Sequence, residues 1–250
     1  MVLSGPDRKR AGFAFALALG CLFSLPRSGG AADGAEALRL RATTGAAGVA
    51  AYLAGGTAWQ GVAEAPLWLN RTPPLYEGDP LDDGYRPAAR VALIRCPEAL
   101  LVRLTWSDST ESLPKPPERV PDAGQASIYK EHSLDIERFA DAACVMMPRP
   151  AGPAATLPSL MMGEKGQPVD LYYWHEVRGC QHLEAAGRST TTRTGETFPG
   201  VAHRLANGWE VVFQLPALAG GTPLAFAVWD GARGQRDGLK YFSLWYEVQP

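Results

Sequence analysis

Seven short runs of β-branched, aromatic and aliphatic residues carry most of the regular pattern in this chain, and most of them stop at glycine, proline, aspartate or asparagine. They are 91–95 (VALIR), 100–106 (LLVRLTW), 142–147 (AACVMM), 169–174 (VDLYYW), 209–215 (WEVVFQL), 224–229 (LAFAVW) and 239–248 (LKYFSLWYEV). Runs of this length and composition, bounded by turn residues, are strands. Helical periodicity is confined to 35–52 and 128–143, which predict a helical turn or two. The connections 113–124 (LPKPPERVPDAG) and 148–158 (PRPAGPAATLP) hold too many prolines to pair in a ladder, and together with 178–201 they exceed ordinary hairpin loops. The expectation is therefore an all-β fold: an antiparallel β-sandwich with long Pro/Gly-rich loops and a few short helices.

The first thirty residues read as a signal rather than as structure. Arg8, Lys9 and Arg10 precede a charge-free stretch over 11–25, and Ser28-Gly29-Gly30-Ala31-Ala32 offers small residues for a signal peptidase. Residues 1–32 are thus expected to be a cleaved export signal, 33–57 an N-terminal segment and 58–250 one domain. The apolar stretch is shorter than the roughly 18–20 residues that span a bilayer, and glycine, glutamine and proline interrupt the later uncharged stretches. The expected location is periplasmic, with no membrane span.

Charge and cysteine content narrow the function. The formal charge is −2; removal of the signal takes away four basic residues and one acidic one, leaving 20 positive against 25 negative charges, near −5. Such a surface does not favour nucleic acid. Cys96, Cys144 and Cys180 remain, with no CxxCH, no paired CxxC and no HExxH in the chain. One disulfide at most is possible among them, and buried free thiols are the ordinary alternative.

Only a few residues stand out chemically. In the run 239–248, alternation puts Lys240 in register with Phe242, Leu244, Tyr246 and Val248, the more uniformly apolar face and the one expected to meet the core. An ammonium group there must snorkel, pair with a carboxylate or lose its proton, and a neutral amine is a nitrogen ligand for a metal. Leu160-Met161-Met162-Gly163 ends a proline-rich loop. A methionine thioether is either core filler or a soft ligand suited to haem iron or copper. His132, His175, His182 and His203 show no metal-ligand spacing; His175, at a strand end where it could reach a cavity, is expected to take a surface or hydrogen-bonded role. Asp108 and Asp141 also lie at strand ends, where turn capping is the default.

Five segments in order carry a family resemblance: LTWSDST (104–110), FADAACVMMP (139–148), MMG followed by PVDLYYW (161–174), NGWEVVFQLPAL (207–218) and LAFAVWDGARGQRDGLKYFSLWYEV (224–248). Over about residues 58–248 the chain resembles the haem b (gamma) subunits of type II dimethyl-sulfoxide-reductase-family molybdoenzymes. That group includes ethylbenzene dehydrogenase, dimethyl sulfide dehydrogenase, and chlorate and selenate reductases. The closing segment, with AFAVWDG, R-D-G-x-K and S-x-W, is its most specific part.

The resemblance implies one non-covalent haem b in a β-sandwich, held by a methionine and a lysine as axial ligands. These map to Met162, with Met161 as the fallback, and to Lys240. It further implies a non-catalytic electron-transfer subunit of an oxidoreductase complex. The expected partners are a molybdopterin catalytic subunit carrying Mo-bis-MGD and an iron–sulfur subunit carrying Fe–S clusters, with a soluble periplasmic cytochrome as a further partner. The alternative function is a haem-free exported binding module of carbohydrate-binding type, in which part of the tryptophan complement would form a sugar platform.

Overall fold

The computed structural model describes residues 38–73, 84–110, 112, 139–152 and 156–250. The proposed signal segment, His132 and most of the connection 113–138 lie outside them. In chain order the elements are β1 (Leu38–Thr44), α1 (Val49–Leu53), a 3-10 turn (Gly56–Trp59), β2 (Ala65–Leu67), β3 (Asn70–Arg71), β4 (Ala89–Arg95) and β5 (Ala99–Ser107). They continue with β6 (Ala142–Pro148), β7 (Val169–His175), β8 (Gly179–Ala185), β9 (Thr192–Arg193), β10 (Gly200–Leu205) and β11 (Gly208–Pro216). The last are β12 (Pro223–Trp229), a 3-10 turn (Gly231–Arg233), β13 (Tyr241–Phe242) and β14 (Tyr246–Gln249). The all-β expectation holds.

The strands form one curled sheet whose two halves face each other. One half runs β10-β11-β5-β4 with β2 on its edge; the other runs β9-β8-β7-β6-β12 and continues into β13 and β3. All of these pairings are antiparallel. The departure from the antiparallel expectation is β1, which pairs in parallel with β14 through 38–41 and with β4 through 42–44. By changing partner midway it carries the sheet round the corner between the halves, as strands at sandwich corners do.

The enclosed core draws on both halves. Leu93, Leu100, Val102, Leu104, Val211, Phe213 and Leu215 meet Ala143, Val145, Met147, Trp174, Leu224, Phe226, Val228 and Tyr241. Burial of this apolar surface, at about 25 cal/mol per Å² removed from water, is the main force that closes the sandwich.

Three sequence expectations are corrected. The segment 178–201, read as a long connection, contains β8, β9 and the start of β10; β8 is half-buried along almost its whole length and largely polar, so it lacks the apolar signature of a strand. Within 35–52, read as helical, residues 38–44 form β1 and only 49–53 are helix. The final run is broken: β13 ends at Phe242 and β14 begins at Tyr246.

Candidate functional site

β6 and β12 are buried at every position. In an antiparallel sheet one face ordinarily meets solvent, so something must cover the outside of these strands. Their inward residues join the main core, while Ala142, Cys144, Met146, Ala225, Ala227 and Trp229 point the other way, into a second apolar cluster with Val169, Leu171 and Ala185. The cover is supplied by the turn at 158–163 and the segment 239–245, through Leu160, Met162, Phe242 and Trp245.

The floor of this second cluster is made of small side chains. In register, Ala227 lies opposite Cys144 and Ala225 opposite Met146, and Cys144 lies opposite Tyr173 on β7. Aromatic residues wall it: Trp229 packs edge-on against Tyr173 with centroids 5.5 Å apart. The result is an apolar layer on the outside of the sheet, covered by the two segments.

Met162 and Lys240 come together over this floor. Lys240 Nζ lies 3.8 Å from Met162 Sδ and 5.3 Å from the centroid of the Trp229 ring. Among the described residues no carboxylate forms an ion pair with the amine. Desolvation lowers the Lys240 pKa; the neighbouring Cys144 and Asp237 act in the opposite sense and Arg188 reinforces the lowering. Burial pushes the Cys144 thiol up to about 12, so it is neutral beneath the pair. The environment thus favours an uncharged amine.

Both residues are held by their backbones. Thr72, 2% exposed, donates its N–H (2.9 Å) and its hydroxyl (2.8 Å) to Lys240 O and accepts from Lys240 N at 3.1 Å. Met162 has φ of +74°, followed by Gly163 at the same value. For a side chain with a Cβ this left-handed conformation is costly and persists only where surroundings impose it. Here Gly163 N bonds Ser159 O at 2.8 Å, and Met162 O accepts from Gly187 N at 2.8 Å. Gly163 admits no side chain: a Cβ would meet Gln167 O at 2.8 Å and Ala185 O at 3.3 Å.

The expectation that the Lys240 face meets the main core holds in β14, where Tyr246 and Val248 enter it, and is corrected before the break at 243–245. There Tyr241 enters the core, whereas Phe242 packs in the outer cluster, and Lys240 shares the outer side with it. Met161 is half-buried, with its N–H on Ser159 Oγ at 3.2 Å.

The other candidates have structural roles. His175 is 2% exposed, and its Nδ1 accepts from the backbone of Val177 and Arg178. His182 lies between Asp170 (3.0 Å) and Glu196 (3.2 Å) and stacks on Tyr172. Cys96, Cys144 and Cys180 are free thiols. Of the seven tryptophans, Trp59, Trp106, Trp174, Trp209 and Trp229 are buried and Trp68 is 78% exposed, so a tryptophan platform on the surface is not formed.

One cluster escaped the sequence reading. Asp108, Asp141 and Asp230 converge with carboxylate oxygens within 4.8 Å of one another, all buried. Asp141 accepts from Ser112 Oγ (2.6 Å), Gly231 N (2.8 Å) and Trp209 Nε1 (2.9 Å), tying the segment after β5, the 3-10 turn after β12 and the strand β11 to the start of β6. Burial pushes its pKa up to about 7, with Asp108 adding to the rise and the three hydrogen bonds opposing it. Turn capping at Asp108 was expected and is found, its Oδ1 accepting from Thr110.

Comparison with known proteins finds three sequence relatives. The chain is 31% identical over 169 residues to the chlorate reductase subunit gamma of Ideonella dechloratans, covering 62% of each chain. It is 28% identical over 169 residues to a putative respiratory nitrate reductase heme subunit of Haloferax mediterranei, covering 63% of this chain and 54% of that protein. It is also 28% identical over 208 residues to the dimethylsulfide dehydrogenase subunit gamma of Rhodovulum sulfidophilum, covering 74% and 70%. The chain is thus similar in sequence to two gamma subunits and one haem subunit.

This agrees with the resemblance carried by the closing motif. The chain spans under two thirds of the first two relatives' length. No family model matches it. Among solved structures it is similar to a putative carbohydrate-binding protein from Bacteroides uniformis (TM-score 0.45, 9% identity, 85% of this chain and 100% of that one). A family 9 carbohydrate-binding module from Caldicellulosiruptor kristjanssonii, in complex with glucose, is similar too (TM-score 0.44, 9% identity, 84% and 95%).

Proposed function

We propose that this chain is the electron-transfer subunit of an exported molybdenum oxidoreductase complex, and that it binds one non-covalent haem b between Met162 and Lys240. The observation that carries the reading is the 3.8 Å approach of Lys240 Nζ to Met162 Sδ over an apolar floor. A lysine kept only for solubility would extend to water. Here the amine turns toward a neutral sulfur, and burial lowers its pKa.

The donors fit a haem iron. A neutral amine and a thioether are uncharged ligands, and apolar surroundings suit a large flat macrocycle. Lys240 and Met162 would be the residues that hold the iron, their donor atoms lying 3.8 Å apart. When bound, haem b supplies one-electron chemistry between its ferric and ferrous states.

The chain's own contribution is to hold and to exclude. Thr72 fixes the peptide groups of Lys240 and thereby the root of its side chain. The left-handed turn at Met162 aims the thioether at the same point. Desolvation at Nζ favours loss of the ammonium proton, which ligation requires. Trp229, Tyr173 and Phe242 pack around the same apolar cluster. A haem held there would supply electron transfer without bond chemistry, in keeping with a non-catalytic subunit beside a molybdopterin subunit and an iron–sulfur subunit in the periplasm.

Two variants and a spectrum test the reading. The purified chain from haem-replete cells should show the α and Soret bands of a low-spin b-type haem extractable without covalent attachment. Lys240→Ala should abolish the low-spin spectrum or haem retention, and Met162→Leu should perturb the spectrum and lower the potential while Met161→Leu leaves both unchanged. A folded, colourless wild-type protein would refute the function, and an unaltered Lys240→Ala spectrum would refute the ligand.

A further inference from the structure

The S-x-W part of the closing motif, Ser243 and Trp245, has no place in the ligand assignment, yet both residues are engaged. Ser243 is fully buried and brackets β12: its N–H donates to Phe226 O at 2.8 Å and its Oγ accepts from Phe226 N at 2.9 Å. This pins the segment between β13 and β14 to the sheet. Two residues on, Trp245 packs in the outer cluster with Met162 and donates its indole N–H to Pro158 O at 3.0 Å.

Pro158 opens the turn that delivers Met162. That turn is bonded internally: Gly163 N donates to Ser159 O, and Met161 N to Ser159 Oγ. A shift at Pro158 therefore moves Met162 with it. On the opposite side, Lys240 is clamped by Thr72 and leads within three residues to the Ser243 bracket. Trp245 thus joins the arm carrying Met162 to the arm carrying Lys240.

We propose that Trp245 is a positioning residue that sets Met162 against Lys240 through its indole N–H. The meaning of that pair rests on the haem reading, whereas the positioning contact does not. An indole acting as apolar filler alone would be replaced by phenylalanine with little change, because most of the ring area remains. A positioning indole would not, because phenylalanine lacks the N–H.

The test is Trp245→Phe in the full chain, read in two ways. In the haem-free protein, dilute peroxide oxidises methionines according to their exposure, and peptide mass spectrometry follows Met162 with Met147, which faces the main core, as the internal control. Loss of one ordinary hydrogen bond should speed Met162 oxidation about fivefold and leave the control unchanged. In the haem-loaded protein the same variant should keep its haem but bind carbon monoxide in the ferrous state to a greater extent. Oxidation of Met162 at the wild-type rate, or equal acceleration at Met162 and Met147, would overturn the proposal. A wild-type chain that takes up no haem would refute the haem reading while the oxidation measurement still decides the role of Trp245.

Discussion

Replacing Gly163 with alanine isolates the strain on which the Met162 turn depends. The residue has φ of +74°, and an L side chain in that region costs about 1–2 kcal/mol. A Cβ would also stand 2.8 Å from Gln167 O, with Ala185 O and Val169 Cγ1 each at 3.3 Å. Two of these three neighbours are backbone atoms, one of them in β8, and they cannot swing aside as a flexible side chain would; relieving such overlap costs about 1–3 kcal/mol. Together the terms predict a loss of about 2–5 kcal/mol. Gly166 supplies the control: its φ is +89° and nothing lies within 4 Å of its Cβ position, so Gly166→Ala should lose only the conformational part, about 1–2 kcal/mol. Equilibrium urea unfolding of the haem-free chain, followed by tryptophan fluorescence, measures both. Equal losses in the two variants would show that Gly163 is not packed against Gln167 and β8, and the argument for a fixed Met162 would fall with it.

Other perturbations address neighbouring contacts. Thr72→Val removes both Oγ1 bonds to Lys240 and leaves a peptide N–H without its partner; the same unfolding assay should show a loss of about 1–3 kcal/mol, largely restored by Thr72→Ser. The acidic cluster predicts a pH dependence. Asp141 has a folded pKa raised from 3.8 to about 7, so the native state holds a proton that the unfolded chain releases in that window, and its contribution to stability is greatest at the acid end and declines as pH rises to about 7. Asp108→Asn removes one cause of the rise and should make that decline shallower between pH values near 4 and near 7; an unchanged slope would refute the coupling.

The sequence was most legible where pattern and burial coincide. β4, β5, β7, β11 and β12 were located within a residue or two, because their apolar runs end at turn residues and their burial follows. β8 was not, since half-exposed positions such as Gln181, His182 and Glu184 carry no apolar signature. Lys240 and Met162 each stood out as a residue type unusual for its setting, but neither shows in the sequence that the other lies beside it. That proximity comes from the covering of the outer face, of which the sequence held one trace: β6 and β12 read as unbroken apolar runs, the mark of strands buried on both sides. The acidic cluster left no trace, because Asp108, Asp141 and Asp230 are single residues at the ends of three different strands.

The parallel pairing of β1 with β14 joins the two ends of the described chain. Residues 38–41 find their partners at 246–249, and contacts of such long sequence separation slow folding. The segment bearing Lys240 lies directly before that closing strand. One short stretch, 240–249, therefore both presents the amine to the thioether and closes the corner of the sheet.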